Sequence, residues 1–280
     1  MMVADAADAG ASCVARLAAG EPIDESVAVV VAHPDDEVLG LGARLDRLRN
    51  WRLIHVTDGA PRDMQDARRE GFESLDAYTA ARRAELDAAL RALDARPQRR
   101  IGYDCPDQQA IAQLVPLTLR LMDDLADVAI VITHSYEHGH PDHDATAFCV
   151  HAACALLDRR ARLSPSILEF AGYHLAERRL ICGSFWPDER MPVHTAVLSA
   201  DEYRRKRAAI ECFASQREFL QLFPLQREHY RASPGYDFSV PAPPVDAFYE
   251  SMNWNVARSD WYAHAQAAQR ELELGRGTLS

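Results

Sequence analysis

Two runs of consecutive apolar residues, Val27 to Ala32 and Val128 to Thr133, each lead into a histidine-bearing cluster, and this arrangement narrows the folds open to the chain. Apolar runs without polar alternation belong to strands covered on both faces. Val38 to Leu48 follows the first run with helical spacing through Leu41, Leu45 and Leu48. Arg52 to Thr57 repeats the strand signal and breaks at Asp58-Gly59-Ala60-Pro61, after which Leu86, Leu90 and Leu93 mark another helix. Arg100 to Asp104 gives a short third strand, Ile111 to Leu125 a helical stripe, and Ala145 to Leu156 a helix behind the second run. Strands and helices alternating in this way predict an α/β fold, a Rossmann-like three-layer sandwich with a mostly parallel sheet.

The second half changes character. Ile167 to Tyr173 and Val193 to Leu198 read as strands, Glu202 to Phe213 and Ser259 to Leu274 as helices, and Pro224 to Pro244 as a proline- and glycine-rich loop. With no internal repeat or linker, residues 26–280 form one expected domain with C-terminal additions from about residue 180. The Ala- and Asp-rich residues 1–25 are expected to be a flexible N-terminal segment.

A net charge of −11 disfavours nucleic acid and anionic membrane as partners, and the basic run Arg204 to Arg207 reads as a solvated helix face. No stretch has the length of a signal peptide core or a membrane span. The six cysteines lack paired spacing, which fits a reducing, cytoplasmic setting.

In a parallel sheet ligands collect beyond the carboxyl ends of the strands. His33-Pro-Asp-Asp-Glu37 stands beyond the first apolar run and His140-Pro-Asp-His143 beyond the second, so the fold can bring both clusters together. Adjacent Asp35 and Asp36 point in different directions on an extended chain, leaving one for a metal and the other for a bound water. Two imidazoles, one carboxylate and an open position describe a catalytic zinc site, since structural sites are usually closed by four ligands and rich in cysteine. A two-metal phosphoesterase would need more bridging carboxylates. Asp58 is a candidate contact for a substrate hydroxyl, whereas Asp104 and Asp107 read as turn residues. Trp186, Tyr249, Trp254 and Trp261 could supply a sugar-stacking surface, core packing being their commoner use.

Together the two signatures resemble the PIG-L/LmbE-like zinc-dependent N-deacetylases, over about residues 26–175. The resemblance implies removal of an N-acetyl group from an amino sugar or its conjugate, with one Zn2+ per chain, although iron or cobalt would also suit such ligands. It implies His33, Asp36 and His143 as metal ligands and Asp35 as general base. It makes His140 the group that polarises the carbonyl or protonates the leaving nitrogen, with Asp142 orienting it. Arg82, from Arg82-Arg-Ala-Glu85, would face the substrate, and His138 would stand near the oxyanion. The expected partner is a small N-acylated amino sugar or conjugate, and homo-oligomerisation stays open. Rival readings are an amidase acting on a larger sugar or thiol conjugate, and a sugar-binding protein without catalysis.

Overall fold

Val27 to Val31 are all buried, and their alternation divides the molecule. Ala28 and Val30 join one apolar core with Leu114, Leu121, Phe148 and Trp261, while Val27, Val29 and Val31 join another with Leu41, Leu86, Leu90 and Ile210. A strand that feeds two cores must lie in a sheet between two helical layers. The computed structural model describes residues 2–160, 164–188, 191–241, 246–252, 254, 256–275 and 277–279, with side chains from residue 10 onward.

In chain order, α1 (Met2–Ala19) precedes β1 (Ile23–Val31), α2 (Asp36–Leu41) and β2 (Leu48–Pro61). Next come α3 (Gln65–Arg69), α4 (Leu75–Ala92), β3 (Arg99–Asp107), α5 (Leu114–Asp124), β4 (Ile130–His134) and α6 (Pro141–Arg159). The second half holds β5 (Ser166–Phe170), β6 (Tyr173–Ala176), β7 (Arg179–Cys182), β8 (His194–Val197), α7 (Ala200–Ile210), α8 (Arg217–Leu220), β9 (Arg227–Ala232) and α9 (Arg258–Glu271). The seven-stranded sheet has the order β3-β2-β1-β4-β5-β9-β8. Its first five strands are parallel, and β9 pairs antiparallel with both β5 and β8. The expected three-layer α/β sandwich is therefore the fold. β1 lies between β2 and β4, so the chain reverses its order at the β1/β4 boundary, where such sheets form a crevice.

Three expectations need correction. The N-terminal segment is a helix whose Cys13, Val14 and Leu17 are buried in the second core, so composition alone understated its packing. The helix expected over Val38 to Leu48 stops at Leu41. There Lys206 Nζ donates to the Leu39 carbonyl at 2.6 Å, and the Ala43 N–H donates to Glu228 Oε1 at 2.9 Å. A buried Lys206–Glu228 pair thus takes up backbone groups that another turn of helix would have used. Finally, the loop expected over Pro224 to Pro244 contains β9; its residues 242–244 lie outside those described. None of the described helices is long and apolar enough to cross a membrane.

Candidate metal centre

The crevice between β1 and β4 brings the two clusters together. His33 stands two residues past the end of β1 and Asp36 opens α2; His140 caps α6, and His143 lies in that helix's first turn. His33 Nδ1 lies 3.3 Å from His143 Nε2 and 3.3 Å from Asp36 Oδ2, and His143 Nε2 lies 3.2 Å from Asp36 Oδ1. Ligands about 2.0–2.1 Å from a tetrahedral ion are separated by roughly 3.3 Å, the spacing of this triangle. The donor set therefore fits a metal such as zinc.

Hydrogen bonds decide which atoms are free for it. Asp142 Oδ2 and Asp107 Oδ1 each lie 3.3 Å from His33 Nε2, so that nitrogen carries the proton and Nδ1 keeps its lone pair for the ion. Asp142 is itself fixed by the N–H groups of Gln108 (2.6 Å) and Ala110 (3.1 Å). Asp36 Oδ2 accepts the His33 N–H at 2.7 Å, which leaves Oδ1 facing His143. His134 stacks on His143 with centroids 4.0 Å apart, yet its Nε2 accepts the Ala32 N–H at 3.0 Å. Neutral His134 therefore carries its proton on Nδ1 and has no lone pair to spare for an ion, so its part is to pack against His143.

Asp35 stands beside the triangle. Arg82 Nη1 and Nη2 both donate to its Oδ2 at 3.2 Å, and its other oxygen makes no bond to Arg82. Burial pushes the Asp35 carboxyl up to about 6, against the pull of Arg82. Asp36 is held well below the usual carboxylate range: burial works against this, and the neighbouring His143 and His134 outweigh it. Gly59, at φ +64°, lets this corner close, because a Cβ there would come within 2.8 Å of Pro34 and 3.0 Å of Arg82. Four carboxylates, Asp35, Asp36, Asp107 and Asp142, thus gather here with the one guanidinium of Arg82, an excess of negative charge that a dication would reduce.

His140 differs from the other histidines. Its Nδ1 accepts the Asp142 N–H at 3.1 Å, so neutral His140 carries its proton on Nε2, and it lines the cavity. Burial holds its pKa well below the usual value, which makes it a neutral donor. Asp142 touches it through this backbone N–H, while the Asp142 carboxylate serves His33.

The cavity has a volume of about 690 Å3 and is lined by His33, Asp35, Asp36, Arg82, His140 and His143. Asp107, which sequence reading assigned to a turn, lines it too. Its place at the carboxyl end of β3, on the same sheet edge as the two clusters, was the available signal. Arg82 faces Asp35 within the cavity wall. Asp58 does not join the site: it pairs with Arg62 at 2.6 Å and lines a separate shallow hollow with Asp76, Arg83 and Asp104. His138 also lies elsewhere. It is fully buried, with Nδ1 2.8 Å from Asp144 and Nε2 3.0 Å from the Tyr262 hydroxyl, so it ties the loop to α9 and does not face an oxyanion. Of the four aromatic candidates Trp254 lines the cavity, Trp261 and Tyr249 are core, and Trp186 packs on His174.

Residues 28–154 match the PIG-L family, described as GlcNAc-PI de-N-acetylase. The chain carries a PIG-L family domain. That domain spans β1 to most of α6 and so contains both clusters, β3 and α4. No curated protein sequence matches the chain. Among solved structures it is similar to the deacetylase of the A40926 pseudoaglycone (19% identity, 74% of this chain and 96% of that one, TM-score 0.54). It is equally similar to a deacetylase triple mutant of the teicoplanin biosynthetic pathway (19%, 74% and 97%, 0.54). A conserved protein of Thermus thermophilus matches at 21% identity over 80% of this chain and 100% of that one, with a TM-score of 0.51. These likenesses show a fold shared with those proteins over about three quarters of the chain.

Proposed function

We propose that the chain is a zinc-dependent hydrolase that removes the N-acetyl group, or a larger N-acyl group in its place, from an amino sugar or its conjugate. The observation that carries this is the triangle of His33, Asp36 and His143 with the Arg82-held carboxylate of Asp35 beside it, open to a cavity. A divalent ion held by the triangle supplies an acidified water and a polarised amide carbonyl.

The chain's own residues do the rest. Asp35 takes a proton from the attacking water and delivers it to the leaving nitrogen, because an amide anion is too basic to depart near neutral pH. The neutral His140 Nε2–H donates to the developing oxyanion; one such donor typically contributes about 3 kcal/mol. Asp107 and Asp142 hold His33 in the tautomer that leaves Nδ1 free. The intact base and donor set favour catalysis over sugar binding alone, and the match of residues 28–154 to a family described as GlcNAc-PI de-N-acetylase supports an N-acyl amino sugar as substrate. The six free cysteines, four of them buried, fit a cytoplasmic protein.

The test is metal analysis of the purified protein together with a screen for acetate and amine release from N-acetylated sugars and their conjugates. Stoichiometric zinc and release of both products are expected. Zinc-loaded protein that releases neither from any of them would count against the assignment.

A further inference from the structure

One wall of the cavity is built from the rings of Tyr173, Phe219, Phe223 and Trp254, with Phe248, which does not line it, packed between Tyr173 and Trp254. Tyr173 packs on His143 with centroids 5.3 Å apart, and Phe219 (5.0 Å), Phe223 (5.9 Å) and Phe248 (5.7 Å) pack on Tyr173. Trp254 joins Phe248 at 6.2 Å and covers His140 at 4.5 Å. At the rim, Leu222 lines the same cavity while remaining 53% exposed. Charged groups line the rest of the same cavity, among them Asp63, Asp66, Arg69, Arg82 and Glu218.

The rings of this wall meet edge to face, at 69° to 88° to one another, so they form a corrugated trough. A pyranose prefers a flat ring face bordered by hydrogen-bonding groups, whereas a flexible alkyl chain fills a trough. The chemistry also fixes which part of the substrate lies there. Asp35 must reach the nitrogen to deliver its proton, so the amine side of the amide lies on the flank of Asp35 and Arg82. The acyl carbon then points the other way, onto Tyr173. An acetyl methyl would leave the trough beyond Tyr173 empty.

We propose that the acyl group this site removes is larger than acetyl: a medium-chain alkyl or arylalkyl group lies along the trough while the amino sugar lies on the flank of Asp35 and Arg82. This rests on the hydrolase reading above. The reaction balances as R–CO–NH–R′ plus water giving R–COO− and R′–NH3+, with the C–N bond broken and a C–O bond formed, and no redox partner.

The experiment measures amine release by the zinc-loaded full chain from N-acetyl-, N-butyryl-, N-hexanoyl- and N-octanoylglucosamine. kcat/KM should rise by about fourfold for each methylene that the trough buries. Leu222→Asp, at an exposed position where folding is not at stake, and Phe223→Ala should each lower the octanoyl-to-acetyl ratio at least tenfold. A kcat/KM that is highest for acetyl and falls with chain length overturns the acyl assignment and leaves the hydrolase reading intact. If no substrate releases amine, the hydrolase reading fails, and calorimetry with octanoate and acetate decides the trough separately. Octanoate binding at least tenfold tighter than acetate, with the difference lost in Phe223→Ala, sustains it; equal binding overturns it.

Discussion

Asp35 and Asp36 are neighbours in sequence with opposite environments, and substitution separates their roles. Asp36 has one oxygen committed to the His33 backbone and the other turned to His143, whereas Asp35 is held by Arg82 at the cavity wall. Asp35→Asn should keep zinc at wild-type stoichiometry and lower kcat by about 10²–10⁴, whereas Asp36→Ala should lose metal as well. Metal content and single-turnover rates check both, and near-normal turnover in Asp35→Asn would refute the base assignment. Asp107→Asn removes one of the two carboxylates on His33 Nε2. Zinc affinity, measured by competition with a chromophoric chelator, should fall by about 10–100-fold. If affinity is unchanged, Asp107 does not support the ligand. His33, Asp35, Asp36, His140 and His143 were legible because their spacing within two short clusters carries the signal. Asp107 and His134 were legible only as strand-end residues, since each is a single residue whose meaning comes from partners far along the chain.

At the scale of elements, α2 places Asp36 and is held by a close contact with β5. Gly40 lies against Phe170 so tightly that a Cβ would stand 2.2 Å from the ring, and Phe170 in turn packs on His134 at 5.0 Å. Gly40→Ala would gain roughly 1 kcal/mol of helix propensity, and the overpacking should cost about 1–3 kcal/mol and shift Phe170 toward the site. Urea denaturation should therefore show net destabilisation, together with weaker zinc binding; a more stable variant with unchanged affinity would refute the contact. Strand β9 shows why some elements were hidden. Arg227, Glu228, His229 and Arg231 give it a polar sequence, but Glu228 is buried against Lys206 and Arg231 against Glu169. Pairing of charges satisfied burial where hydrophobicity usually does, and the partners lie in α7 and β5. The centre of the parallel half was readable because Val27 to Val31 in β1 and Ile130 to Ile132 in β4 are buried by apolar residues alone. The hairpin of β6 and β7 was hidden in another way: Glu177 and Arg178 both take positive φ, a turn that sequence pattern usually signals with Asn or Gly.

For the whole molecule, α6 links the metal centre to the far edge of the fold. It starts at His140 to His143, and farther along it carries His151, which is fully buried. His151 Nδ1 donates to the Leu279 carbonyl at 3.1 Å, and its Nε2 lies 3.1 Å from Ser233 Oγ, just past β9. Burial lowers the His151 pKa to about 4, with the bond to Leu279 pulling the other way. An unfolded chain binds a proton here below about 6.5, where the folded chain does not until about 4. More protons are then bound by the unfolded state across that window, so stability falls as pH drops from about 6.5 to about 4, by about 3 kcal/mol in all. Glu169, raised chiefly by burial, has the opposite sign: the folded state binds its proton first and gains on acidification. The net slope therefore mixes the two, and a variant must isolate the histidine. In His151→Gln the fall in stability between about pH 6.5 and about pH 4.5 should be shallower than in the wild type by up to one proton equivalent, read from urea midpoints at fixed ionic strength. Parallel profiles for the two proteins would show that His151 is protonated in the folded state already, and that the link from α6 to the C-terminal segment tolerates a charge.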